Sequence, residues 1–262
     1  MDRASRLEAA AAQARCLAHV DHRPYPLSTG RWFMGQSWLE LLFAHWPVPV
    51  EALRPHVPDA LEVESHDGSA WLGIAPFRIE ALRVRGAPSP PFVASFRELN
   101  VRTYVTRNGR PGIWFLSLDA SSRVAVRAAR RLYHLPYFHA LIEWRRGGGG
   151  IHFRSTRQED RPARFDAEYR PVGDVFHPEP GTLEHFLVER YCLYAQHRGR
   201  LYRAEIHHGP WPLQPAEGHI AADTMPPPGL ALPTQAPLLH YSARIDVAIW
   251  RPEVIARSRS SK

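Results

Sequence analysis

Lysine is all but missing from this chain: among 262 residues the sole example is Lys262, the last. The formal net charge of +7 is therefore carried by arginine, scattered along the chain with short pairs at Arg130/Arg131 and Arg145/Arg146. No recognition-helix pattern, zinc-finger spacing or RNA-binding aromatic signature accompanies these charges, so specific nucleic-acid binding is not expected. Cysteine is scarce as well. Cys16 and Cys192 stand far apart without a CxxC motif, which argues against a disulfide framework and for a reducing compartment. Apolar runs are too short to span a membrane. The Ala-rich N-terminus, MDRASRLEAAAAQARCLAHV, carries Asp2 and Glu8 and lacks a continuous apolar segment, so a secretory signal is not expected. These absences predict a cytoplasmic protein without membrane attachment.

The common catalytic motifs are missing too. HExxH is absent, and the 15 histidines never cluster with cysteine or carboxylate at ligand spacing, so no metal centre is expected. His207 and His208 are adjacent, so on a strand they face opposite ways and do not readily share one ion. There is no GxSxG elbow; Ser117 and Asp119 in WFLSLDASS stand two apart with no histidine nearby in sequence. GxGxxG is lacking, and the run Gly147 to Gly150 has no GK[ST] after it, so no nucleotide cofactor is expected.

Proline and glycine are plentiful, at 25 and 17 residues. That punctuation suits short strands and turns better than long helices. The N-terminal 21 residues read as a helical extension, residues 22–252 as one β-rich domain, and 253–262 as a basic tail. Ser37 to Trp46 reads as strand or short helix, broken by Pro47 and Pro49, with a helical turn over Val50 to His56. Leu61 to Glu64 and Ser69 to Ile79 read as strands joined at Asp67-Gly68. Arg97 to Thr106 and Gly112 to Ala120 form the clearest hairpin, around Asn108-Gly109. Arg123 to Tyr133 is the most helix-like stretch, closed by Pro136, with a strand resuming near His139. The glycine run is a hairpin tip, Ile151 to Ser155 and Ala163 to Tyr169 continue the meander, and Thr182 caps a short helix. Glu189 to Gln196 and Leu201 to His208 form another hairpin, and Ser242 to Trp250 a final strand. The fold class predicted is α+β and β-dominated, built of antiparallel hairpins with a few short helices.

The strand ELNVRTYV carries the sharpest chemical pattern. Alternation puts Glu98, Asn100, Arg102 and Tyr104 on one face and Leu99, Val101, Thr103 and Val105 on the other. A row of acid, amide, guanidinium and phenol is either a solvated face or the lining of a polar cavity inside a barrel. In a cavity, Arg102 is suited to hold a carboxylate through two parallel hydrogen bonds. In the later hairpin Glu189, Tyr191 and Leu193 share one face, and Arg203, Glu205 and His207 another.

Seven stretches together resemble the DUF2071, or YqjF-like, bacterial family: FAHWPVP (Phe43 to Pro49), AWLGIAPF (Ala70 to Phe77), ELNVRTYV (Glu98 to Val105), WFLSLDA (Trp114 to Ala120), LPYFHA (Leu135 to Ala140), FLVERYCLY (Phe186 to Tyr194) and HHGPWPLQPA (His207 to Ala216). They run in family order and span the chain from about His22 to Trp250. That family is similar in turn to the acetoacetate decarboxylase-like superfamily. The resemblance implies a single large antiparallel β-barrel or cone with peripheral helices. Superfamily decarboxylases form a Schiff base on a lysine in a pattern like R-E-x-x-G-x-P-K-K. The similar stretch here runs from Arg130 to Phe138, with Tyr137 and Phe138 where the two lysines would stand. Imine formation needs a primary amine, and a guanidinium stays protonated. Decarboxylation through an imine is therefore not expected.

Two readings of function follow. One is a protein that binds a small carboxylate or carbonyl compound in an interior polar pocket, with Glu98, Asn100, Arg102, Asp119, Tyr137, Glu189 and Tyr191 as ligand contacts. The other is a lyase- or hydrolase-type enzyme without a Schiff base. There Glu98 or a histidine such as His207 serves as acid/base, and Tyr137 or Arg102 polarises an oxygen. A small-molecule ligand is the expected partner, and self-association is left open.

Overall fold

A computed structural model describes residues 3–87, 94–159 and 162–257. Its backbone is organised by one wall of long strands: β1 (Met34–Val48), β3 (Ala70–Val84), β4 (Phe96–Arg107), β5 (Arg110–Ala120) and β12 (Leu238–Ile249), ordered β12-β1-β3-β4-β5. The β4–β5 hairpin turns at Asn108 and Gly109, both at positive φ, the geometry a two-residue hairpin turn requires. Side chains alternate across the wall, and both of its faces are buried. Leu41, Phe43, Ala75, Phe77 and Tyr104 enter one core, whereas Leu42, Ala44, Ile74, Leu99 and Val101 enter another.

The sheet forks at both edges of this wall. Along β5, Ile113 and Trp114 pair with β9 (Cys192–His197), while Leu118, Asp119 and Ala120 pair with β6 (Tyr137–Gly147). Along β12, Val247 to Ile249 pair with β10 (Arg200–His208), while His240 and Tyr241 pair with β11 (Gln214–Asp223). One branch, β9-β10, closes a ring over the first face of the wall. The other runs through β6, β7 (Gly150–Arg157), β8 (Arg164–Pro171) and β11 and closes a ring over the second. The result is two chambers with a common partition. The cone or barrel implied by the resemblance is thus ring-like and double. Its β5–β6 and β5–β9 pairings are parallel, so the sheet is mixed rather than wholly antiparallel.

Helices are peripheral: α1 (Arg3–Arg15), α2 (Val50–Leu53), α3 (Arg123–Tyr133) and α4 (Leu183–Val188). Ser122 caps α3 by accepting from the Ala125 amide, and Thr182 caps α4 by accepting from the His185 amide. His134 ends α3 in the left-handed conformation, and Pro136 follows. Strand β6 starts at Tyr137 itself, two residues before the sequence places it.

Several expectations change. Strand β1 runs through Pro47, because beyond His45 it no longer pairs with β12 and a proline is tolerated beside an open edge. The short β2 (Glu62–Val63) pairs with β4 rather than with β3, although Asp67 and Gly68 do form a turn. The sequence reading has no counterpart to β11. Residues 253–257 of the expected tail form β13 (Glu253–Arg257) on the edge of β10; residues 258–262, Lys262 included, lie outside the described residues. Helix α1 is docked rather than detached. Gln13, wholly buried, donates to the Ala81 carbonyl at 3.1 Å and accepts from Arg83 Nε at 2.7 Å.

Candidate functional site

Within the ring closed by β9 and β10 lies a cavity of about 240 Å³, roofed by α3. Its floor is the even-numbered face of β4. Register orders that face from the roof downward: Phe96 beside Ile79, Glu98 beside Phe77 and Ala120, Asn100 beside Ala75 and Leu118, Arg102 beside Gly73 and Phe115. The alternation read from ELNVRTYV therefore holds, and this face is lining rather than solvated surface. The pocket as a whole is not polar, however. Phe33, Met34, Leu82, Val84, Ile206 and Ile249 line its outer part. Seven-stranded closure over an already apolar wall explains this, since branch strands contribute Leu193 and Ile206 inward.

Tyr137 enters this chamber from the start of β6, and its hydroxyl donates to Glu98 Oε2 at 2.8 Å. Burial pushes the Glu98 carboxyl up to about 8, an effect the Tyr137 hydrogen bond only partly offsets. Burial and the neighbouring Glu98 hold the Tyr137 phenol well above its ordinary range. At neutral pH the pair is a phenol donating to a neutral acid, whose own proton is left free to donate. Phe138 turns to the opposite side of β6, where it lies under the Arg157 guanidinium at 4.0 Å.

Arg102 lies deeper, 8% exposed, with no carboxylate within 4 Å among the described residues. Its guanidinium sits 5.2 Å from the Phe43 ring and 5.9 Å from the Tyr104 ring, makes a long contact to the Leu187 carbonyl at 3.4 Å, and acts on the Tyr104 phenol through its charge and a hydrogen bond. Arg102 Nε, Asn100 Oδ1, Trp211 Nε1 and Tyr133 Oη are buried without a hydrogen-bond partner. All four residues line the cavity. Arg190, also in the lining, is by contrast matched by the Glu64 carboxylate. The cavity thus gathers a buried cation and several polar atoms without a hydrogen-bond partner among the described residues.

Other residues singled out in the sequence fall elsewhere. Asp119 points through the partition into the second chamber, where Arg157 binds it at 2.7 Å. It is a structural ion pair, not a contact of the cavity; a strand buried on both faces gives no sign of which face is which. His207 faces the short turn that follows α1, bonding the Cys16 carbonyl at 2.8 Å and contacting Arg23 at 3.1 Å. Its neighbour His208 is the one in the lining, stacked on Tyr191 with ring centroids 4.7 Å apart. Glu189 accepts from the Tyr191 hydroxyl and from the Trp211 amide, fixing Trp211 against Phe43 at 4.9 Å. Glu189 and Tyr191 thus stand behind the cavity wall and position His208 and Trp211. Sequence reasoning missed Trp38, Trp211 and Arg190 as lining residues and, of the adjacent pair His207 and His208, singled out the wrong member; HHGPWP, within one of the family-like stretches, holds the signal for His208 and Trp211. No group of three or more metal-ligating side chains occurs among the described residues.

Comparison with known proteins places this arrangement in context. The DUF2071 family, described as an uncharacterized conserved protein, matches residues 35–246. The uncharacterized protein YqjF of Bacillus subtilis (strain 168) is 46% identical over 222 residues, covering 84% of this chain and 92% of its own length. Among solved structures, the enduracididine biosynthesis enzyme MppR complexed with pyruvate aligns with a TM-score of 0.62 at 14% identity, covering 89% of this chain and 93% of its own. An acetoacetate decarboxylase-like enzyme from Sphingomonas wittichii RW1 aligns with a TM-score of 0.60 at 14% identity, covering 90% and 98%. Acetoacetate decarboxylase from Legionella pneumophila aligns with a TM-score of 0.57 at 12% identity, covering 90% and 94%. At such identities the likeness is one of fold.

Proposed function

The chain belongs to the DUF2071 family and carries an acetoacetate decarboxylase-like fold, and on that premise we propose that it binds a small organic acid in the α3-roofed chamber without forming an imine. The observation that carries this reading is Arg102: a buried guanidinium with no carboxylate beside it among the described residues, facing a cavity. A ligand carboxylate supplies the missing counter-charge through a paired, charge-assisted contact. Neutral Glu98, steadied by the Tyr137 phenol, adds a proton donor without adding repulsive charge. A carboxylate occupant also accords with the pyruvate with which MppR, similar in fold, is complexed. The test is a thermal-shift and calorimetric panel of monocarboxylates against their amides and methyl esters, on the wild type and Arg102→Met. Acids are expected to raise Tm where their neutral analogues do not, and Arg102→Met to abolish the difference. Equal shifts for acids and esters, or retention in Arg102→Met, overturn the proposal.

One observation supports a second reading, catalysis by proton transfer. A carboxyl held at about 8 is suited to give or take a proton near neutral pH, and Tyr137 is placed to steady it. On this reading Glu98→Gln retains the ligand and loses turnover of the bound acid; unchanged turnover removes Glu98 from the chemistry.

A further inference from the structure

The polar and apolar parts of the chamber are sorted along its length. Three of the four lining groups without partners lie at the inner end, Arg102, Asn100 and Trp211, each at least nine-tenths buried; the fourth, Tyr133, is on the roof helix α3. Six residues earlier on β4, about 20 Å away along an extended strand, Phe96 marks the outer end with Leu82, Val84 and Met34. Between roof and wall, α3 presents alanines, Ala125 and Ala129, where larger side chains would fill the space. Among the described residues the outer end is exposed: Val124 and Leu132 of α3 line it yet are 57% and 53% exposed, and Val84 is 37% exposed. A closed site for a two- or three-carbon acid has no use for an apolar channel that reaches solvent.

Resting on the reading above, we propose that the ligand is an amphiphilic monocarboxylate, its carboxylate at Arg102 and its hydrocarbon tail directed beneath α3 toward the Val84–Val124–Leu132 rim. The tail replaces water along Phe96, Leu82 and Met34, and Ala125 and Ala129 set its permitted width. Each methylene buried in this channel raises affinity about fourfold.

The experiment is a calorimetric series of acetate, butyrate, hexanoate, octanoate and decanoate on the wild type, Ala129→Phe, Leu132→Glu and Arg102→Met. Affinity is expected to climb by about fourfold per methylene until the tail reaches the rim and to level off beyond it. Ala129→Phe should flatten the climb while leaving acetate unchanged. Leu132→Glu, at an exposed position that folding tolerates, should weaken only the longest acids. If acetate and octanoate bind alike, or if neither α3 variant alters the slope, the channel is not a tail site, although binding lost in Arg102→Met keeps the carboxylate reading intact. If Arg102→Met binds every acid as the wild type does, both fail together.

Discussion

Glu98 is a carboxyl whose ionisation the fold resists, and the consequence is a pH-dependent term in stability. Its folded value is raised above the unfolded one, so between about 4.5 and about 8 the unfolded chain releases a proton that the folded chain keeps. Stability from this group is therefore full below about 4.5, falls as pH rises through that window, and is flat above it. At about 1.4 kcal/mol per pKa unit, the change amounts to a few kcal/mol. Denaturant unfolding of the wild type and Glu98→Gln at stepped pH should show the variant gaining relative stability up to pH 8; parallel curves would contradict the assignment. Arg102 makes the opposite kind of residue-scale prediction. Without ligand it is a buried cation that no carboxylate neutralises among the described residues, so Arg102→Met should leave the unliganded protein as stable or more so, by about 1 kcal/mol or more. A loss of several kcal/mol would mean that its contacts with Phe43, Tyr104 and Leu187 hold the fold. Tyr137→Lys places an amine in the chamber, at the position the sequence resemblance matches to a decarboxylase lysine. With borohydride and a 2-oxo acid, that variant should gain the mass of a trapped adduct, and the wild type should not.

At the scale of elements, the weak point is the fork in β5. A Cβ at Gly112 would fall 2.7 Å from Cys192 Sγ and 2.9 Å from the Cys192 carbonyl oxygen, the latter being backbone that cannot move aside. Gly112→Ala should thus cost about 1–3 kcal/mol, read as a lower urea midpoint, with loosening of β9 seen by hydrogen exchange. Hairpins, one helix and one cap were the legible elements: Asn108-Gly109, the glycine run, Arg123 to Tyr133 and Thr182 each obey local backbone chemistry. What failed was decided by pairing at a distance. The strand GlnProAlaGluGlyHisIleAlaAlaAsp has few β-branched residues and an exposed outer face, so β11 exists because β8 and the end of β12 offer it edges. Pro47 seemed a breaker because sequence does not show where β12 stops. Likewise, ELNVRTYV revealed its two faces through alternation, whereas WFLSLDA, apolar or buried on both, gave Asp119 no address.

On the scale of the whole molecule, the residues ahead of the family match are part of the fold. Gln13 bonds Ala81 and Arg83, Arg83 reaches the Ala10 carbonyl at 2.9 Å, and Cys16 meets His207. Gln13→Ala leaves the Ala81 carbonyl and Arg83 Nε without their partner and should lower stability by about 1–3 kcal/mol, with little effect on ligand affinity because α1 lies outside the chamber. Nothing in an Ala-rich helix of low amphipathicity announced this docking; only the buried amide does. Composition, for its part, bears on imine chemistry through lysine alone, and the single lysine, Lys262, lies outside the described residues.

The shared partition imposes a rule of parity on the chain. In β4, even-numbered residues belong to one compartment and odd-numbered residues to the other, so adding or removing a single residue ahead of Glu98 exchanges the contents of both at once. Arg102 would then be driven into the second chamber while Val101 or Thr103 faced the α3-roofed cavity. Changes of two residues keep the assignment. The partition strands can therefore vary in length only by even steps, or by odd steps accompanied by a bulge such as the one already present opposite Val101 and Arg102.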